Sequence, residues 1–91
     1  MPRAIHAIRV TPQFTRAFKK LPRTIQEAAA KRDAWFRRDA FDARLKTHPL
    51  KGKLNGLWAY SVTYQYRVLF EFLDDTEVLY HDIGTHSIYA G

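Results

Sequence analysis

The sequence contains no cysteine, which excludes both a disulfide framework and a thiolate metal site. No apolar run approaches the ~20 residues of a membrane-spanning helix, and the N-terminus lacks the apolar stretch of a signal peptide. The expectation is a soluble cytoplasmic protein with no membrane association. Glycine is scarce, four in 91 residues; it forms no phosphate-cradling loop, and no nucleophile elbow is present. There is no internal repeat and no low-complexity tract. Positive charge is almost missing from the back half, where Arg67 is the only basic residue beyond position 56 apart from histidines.

What is present is enough for a core. The chain is 46% hydrophobic and 14% aromatic, so 91 residues predict one folded domain near the small end of what folds alone. Residues 1–56 carry fourteen Lys/Arg against four Asp/Glu, and residues 57–91 carry one Arg against five Asp/Glu. The net charge of +6 is thus a basic segment joined to an acidic one. That division suits a polyanionic partner, an acidic protein partner, or both, and it is equally met by a solvated basic helix face.

The apolar pattern changes period along the chain. Arg3 to Val10 reads as a first strand, stopped by Thr11-Pro12. Thr11 can cap a helix with Pro12 at its first position, and Phe14, Ala17, Phe18 and Leu21 follow at helical spacing. Pro22 ends that helix, and a second is expected from about Pro22 to Arg38, so the two form an α-hairpin. Phe41 and Leu45 can anchor one further turn. Beyond Leu57 the period becomes two: Trp58, Tyr60 and Val62, then Tyr66, Val68, Phe70 and Phe72, then Glu77 to Ile83 after the Asp74-Asp75 turn. The fold class is therefore α+β: an N-terminal strand, an α-helical hairpin, and a three-stranded antiparallel meander to which the first strand adds at an edge. If Val68 and Phe70 face the helices, Arg67 points to the other, partly open face of the sheet.

Four histidines occur, His6, His48, His81 and His86, and none pairs at the i, i+4 spacing of a helical metal site. No metal and no cofactor is expected, and a small-molecule ligand is not indicated. His6 and His81 read as structural or simply exposed. His48 precedes Pro49 in a loop, Arg67 begins a strand, His86 follows the last strand, and Tyr89 lies three residues beyond it. Strand ends meet in a sheet, so these four can share a pocket. Histidine transfers protons near neutral pH and the arginine fork holds a phosphate, which is the minimum set for cleaving RNA through its own 2′-hydroxyl. The competing readings are plain ones: Arg67 paired with Glu71, Tyr89 packed on the core, and the helical lysines and arginines serving solubility.

At these residues the chain resembles the RelE/ParE superfamily of bacterial type II toxin–antitoxin toxins. The resemblance rests on Phe14 and Phe18 before Lys20-Leu21-Pro22, on Leu50-Lys51-Gly52 followed by Gly56 and an aromatic, on Tyr66-Arg67-Val68-Leu69-Phe70, and on Ile83-Gly84-Thr85-His86. It covers nearly the whole length, as one toxin domain over residues 1–91, and is most similar to the YafQ-like branch at His48-Pro49-Leu50 and Gly84-Thr85-His86. It implies a ribosome-dependent mRNA endonuclease neutralised by a cognate antitoxin, or, in the ParE branch, a non-enzymatic inhibitor of DNA gyrase. In the nuclease reading His48 and His86 transfer protons, Arg67 stabilises the phosphate, and Tyr89 stacks on or orients a base. Lys19, Lys20, Arg23, Lys31, Lys51 and Lys53 would contact ribosomal RNA. The chain departs from the family pattern at Ala59 and Ser61, where RelE-type enzymes carry basic residues, and at Ser61 and Gln65, where YafQ-like toxins carry a histidine and an aspartate. That departure is compatible with a different catalytic arrangement, with weaker cleavage, or with a degenerate toxin that only binds antitoxin.

Overall fold

The computed structural model describes residues 2–89. Strand β1 (Ala7–Val10) leads into helices α1 (Pro12–Lys19) and α2 (Arg23–Arg38). A short 3-10 turn (Ala43–Leu45) precedes strand β2 (His48–Pro49), a second such turn (Gly52–Leu54), and strands β3 (Trp58–Ser61), β4 (Arg67–Phe72) and β5 (Glu77–Gly84). A last 3-10 turn, His86–Tyr89, closes the described chain. The five strands form one mixed sheet in the order β1-β5-β4-β3-β2.

The helices begin where local chemistry directs. Thr11 Oγ1 accepts the Phe14 N–H at 3.0 Å, and Pro12 occupies the first helical position, where its missing N–H costs nothing. Pro22 opens α2, and the Gln26 side chain donates to the Phe18 carbonyl at 2.9 Å, tying the two helices together.

The meander β3-β4-β5 is antiparallel as expected, and β1 joins it at the β5 edge, in parallel. Two features differ from the sequence expectation. The first strand is shorter than Arg3–Val10, because residues 3–5 bond to the end of α2 instead of the sheet: Ile5 N–H donates to the Arg37 carbonyl and Ala40 N–H to the Arg3 carbonyl, both at 2.9 Å. His48 does not sit in a loop but in a fifth, two-residue strand, paired antiparallel with Ala59 and Trp58 of β3.

The ladder between β4 and β5 also contains a bulge. Leu69 pairs with Asp82 and Phe70 with Tyr80, so His81 is an extra residue. Val78, Tyr80 and Ile83 therefore share the helix-facing side, while His81 and Asp82 both stay partly exposed. Without the bulge, strict alternation would have turned Asp82 inward.

The core lies between hairpin and sheet. Phe36 of α2 is fully buried, with its ring 4.7 Å from Tyr60, 5.0 Å from Phe70 and 5.9 Å from Tyr80. Ala59 and Leu69 are buried on the opposite face, as is Ile88 of the C-terminal turn. That face is consequently more closed than a bare sheet.

One polar chain runs through the core. The Tyr60 hydroxyl donates to the Tyr80 hydroxyl at 3.0 Å, which donates to Asp33 at 2.8 Å, and Asp33 in turn pairs with Arg37 at 2.8 Å. Burial raises both phenols well above their ordinary value. Tyr80→Phe removes the acceptor that the buried Tyr60 donor has among the described residues and should cost about 1–3 kcal/mol. Tyr60→Phe leaves Tyr80 its Asp33 acceptor and should cost about 0.5–1.5 kcal/mol. Urea unfolding of the two variants checks that order. Because the folded phenols are raised, stability is fully present below pH ~10 and falls as pH climbs past it.

Candidate functional site

The residues that could carry chemistry gather where β4 begins and β5 ends. Arg67 pairs with Ser61 on one side and Gly84 on the other, which fixes its Cα in the middle of the sheet. Its side chain leaves the face opposite Val68 and turns along the β3–β4 connection. There Arg67 Nη1 donates to the carbonyls of Thr63 at 2.8 Å and Tyr64 at 2.9 Å, with Tyr66 at 3.4 Å. The carbonyls gathered around Nη1 hold the guanidinium still. Arg67 is not paired with Glu71, whose carboxylate takes His81 Nε2 at 3.0 Å instead.

The C-terminal turn brings two more groups to Arg67. Tyr89 lies beside Arg67: burial raises the Tyr89 phenol above its ordinary value, and the neighbouring Arg67 charge opposes that rise. The phenol therefore stays protonated near neutral pH. The His86 ring packs edge-on against Tyr89, with centroids 5.8 Å apart. His86 is exposed and, with Tyr64, Gln65 and Thr85, lines a hollow of about 390 Å³. Arg67, Tyr89 and His86 are thus brought together as one contiguous group.

His48 stands apart from that group. It is exposed on edge strand β2 and shares a cross-strand row with Ala59, Leu69 and Asp82. Two strand spacings and two residues separate it from Arg67, about 12 Å between Cα atoms from ladder geometry. Its Nδ1 lies 2.9 Å from the Lys46 carbonyl. A carbonyl only accepts, so Nδ1 carries the proton and Nε2 of the neutral ring is left as a base.

The six cations expected to bind RNA lie elsewhere. Lys19, Lys20 and Arg23 cluster at the link between the helices and Lys31 is on α2, on the helical side of the sheet. Lys51 and Lys53 flank Gly52 in the β2–β3 connection, built on Gly52 and Gly56 at φ 68° and 97°. All six are exposed, and none lines the hollows beside Arg67 or His86.

A different basic set does. Arg32, Arg44, Lys46 and Arg67 surround a hollow of about 280 Å³ floored by the Ser61–Tyr64 segment. The Arg32 and Arg44 guanidiniums lie 4.2 Å and 3.6 Å from the Trp35 ring centroid. Hydrogen bonds from Arg44 also hold the Asp42 carboxyl down at about 2. Lys46 is the only non-glycine residue with a left-handed backbone among the described residues, φ 54°, a conformation costing about 1–2 kcal/mol. In the sequence Arg32 and Arg44 are two of many arginines, and nothing local marks them.

Compared by sequence, the chain matches no protein-family model and no curated protein. Compared by structure it matches YafQ from Escherichia coli BL21(DE3) at TM-score 0.75 and 18% identity, over 92% of this chain and 97% of YafQ. A YoeB/ParE toxin from Agrobacterium tumefaciens matches at TM-score 0.74 and 16% identity, over 89% of this chain and 99% of that one. The chain has the RelE/ParE toxin fold. The same fold appears in the RelBE2 toxin–antitoxin complex of Mycobacterium tuberculosis, at TM-score 0.73 and 24% identity over 94% of this chain and 100% of the other.

Within this RelE/ParE fold, Gly84 decides how the C-terminal turn seats. A Cβ at Gly84 would stand 2.8 Å from Ile88 Cγ2, so the buried Ile88 side chain must shift, and the expected outcome is that the turn carrying His86 and Tyr89 moves with it. Gly84→Ala should cost about 1–3 kcal/mol and separate Tyr89 from Arg67. The check is the Tyr89 phenol titration, followed by its absorbance change: the transition should move when Gly84 is replaced and stay in place when exposed Thr85 is replaced by Ala.

Proposed function

We propose that this chain is the toxin of a type II toxin–antitoxin pair and that it cleaves mRNA on the ribosome. The observation that carries the reading is the meeting of Arg67, Tyr89 and His86 at one sheet end of a fold shared with YafQ, YoeB and RelE-type toxins. In the cleavage step a 2′-hydroxyl oxygen attacks the adjacent phosphorus and the bond from phosphorus to the 5′ oxygen breaks. His48 Nε2, free in the tautomer its Lys46 contact dictates, is the proposed acceptor of the hydroxyl proton, which requires the bound RNA to span the separation between His48 and Arg67 along that face of the sheet. Arg67, always charged, holds the phosphorane. His86 gives a proton to the departing 5′ oxygen, leaving a 2′,3′-cyclic phosphate and a 5′-hydroxyl. Tyr89 is a neutral phenol in this arrangement and orients the nucleotide while buttressing the His86 ring.

Ala59 and Ser61 supply no charge, so the central cation in this reading is Arg67 alone, supported by Arg44 and Lys46 across the same hollow. Lys19, Lys20, Arg23, Lys31, Lys51 and Lys53 give salt-sensitive contacts to ribosomal RNA. The partner that silences the toxin is a cognate antitoxin, as in the RelBE2 complex.

The test is growth arrest on expression without an antitoxin, with mRNA 5′ ends mapped in parallel. His86→Ala and Arg67→Ala should each relieve the arrest and lower cleavage on programmed ribosomes by about 10²–10⁴-fold, with circular dichroism unchanged. Arg67→Lys should also fail, since it keeps the charge and loses the fork. Arrest as strong as the parent's in both alanine variants would sink the site assignment. Gyrase-dependent DNA breaks with intact mRNA would replace the reading with gyrase inhibition.

A further inference from the structure

Tyr64 is the most exposed large apolar side chain of the described residues, at 90% of its full accessible area. An aromatic ring in water on a loop is unexplained by packing: Tyr64 has no ring partner among the aromatic contacts, and its hydroxyl makes no hydrogen bond among the described residues. Only its backbone has a local task, the carbonyl that receives Arg67 Nη1 at 2.9 Å. That bond fixes where the residue stands without using its side chain.

Its position is also particular. Tyr64 lines both hollows of this region, the one of about 390 Å³ with His86 and Gln65 and the one of about 280 Å³ with Arg32, Arg44, Lys46 and Arg67. It is the ridge between a proton-transfer group and a basic basin. The basin is pre-set for an anion. The Arg32 and Arg44 guanidiniums each pack on the Trp35 ring, Asp42 fixes Arg44 through two bonds, and Thr63 and Tyr64 carbonyls fix Arg67. A fixed cation cluster beside a solvent-facing aromatic is the arrangement that single-stranded nucleic acid uses, phosphates in the basic groove and bases on the ring.

We propose that Tyr64 is a base-stacking platform for single-stranded RNA, holding the nucleotide next to the one cleaved, and that Arg32, Arg44 and Lys46 form the subsite for that nucleotide's phosphate. The proposal rests on the ribonuclease reading for its orientation, since it runs the strand from the basic basin, past Arg67, to His86. It adds a positioning residue on the β3–β4 connection and a phosphate subsite built by α2 and the turn before β2.

The experiment uses a short RNA oligonucleotide with 2′-O-methyl groups throughout, which binds without being cut, and carries one 2-aminopurine. Affinity and fluorescence are measured for the full chain and for Tyr64→Phe, Tyr64→Ala and Arg44→Gln. Stacking is worth about 1–3 kcal/mol per base, so Tyr64→Ala should weaken binding about 5- to 150-fold and lose the 2-aminopurine quenching. Tyr64→Phe, which keeps the ring, should bind within twofold of the parent and keep the quenching. Arg44→Gln should weaken binding and reduce the slope of log affinity against log salt by about one phosphate's share. Tyr64→Ala binding like the parent, or no saturable binding by the parent, overturns the proposal, the first outcome assigning Tyr64 to a protein-binding surface. The two readings fail separately: ring-dependent binding with no cleavage of unmodified mRNA on ribosomes removes the nuclease reading and leaves the platform.

Discussion

Everything functional in this protein depends on β4 being the middle strand of five. Val68, Leu69 and Phe70 are all buried, although they alternate between faces, so β4 is covered on both sides and hydrogen-bonded on both edges. A strand so held cannot slip by one residue without inverting buried and exposed side chains. Arg67 is its first residue and inherits that rigidity. Its backbone is set by Ser61 and Gly84, its guanidinium by the carbonyls of the β3–β4 connection. The role proposed for Arg67, holding a phosphorane, suits such a point, because preorganised dipoles and charges lose no energy in reorienting during reaction.

The remaining site groups come from less constrained places, and the structure compensates for each. His86 and Tyr89 ride on a 3-10 turn that Ile88 anchors against the sheet's second face, and that anchoring is why Gly84 has no room for a side chain. His48 comes from an edge strand of two residues, with its ring oriented by the Lys46 carbonyl. Lys46 itself keeps a left-handed backbone that glycine or asparagine would adopt more cheaply. The residue stands beside a hollow lined by arginines, where its charge adds to theirs.

Much of this was legible in the sequence because it is local. Thr11-Pro12 announces the start of α1, Pro22 the break between helices, and the two-residue alternation around Val68 and Phe70 the central strands and the direction of Arg67. The parts that were not legible are tertiary. Strand β2 is too short to show a period, and His48-Pro49 reads as a loop until β3 is there to pair with it. The His81 bulge leaves no mark in composition, yet it keeps Asp82 out of the core. Arg32, Arg44 and Lys46 are separated along the chain and converge only when α2 packs beside the Ser61–Tyr64 segment. The six cations expected to contact ribosomal RNA are on the helical side or the β2–β3 connection, so the basic groups around Arg67 become visible only in the folded chain.

The chemistry proposed for Arg67, His48 and His86 is tested most directly by the chemical nature of the ends it leaves. Purified protein, ribosomes carrying a defined mRNA, and mass spectrometry of the fragments are sufficient. Attack by the neighbouring 2′-hydroxyl predicts a 2′,3′-cyclic phosphate on the upstream fragment and a 5′-hydroxyl on the downstream one, both lost with His86→Ala. Fragments ending in a 3′-hydroxyl and a 5′-phosphate, or no cleavage by the parent protein, would contradict the account.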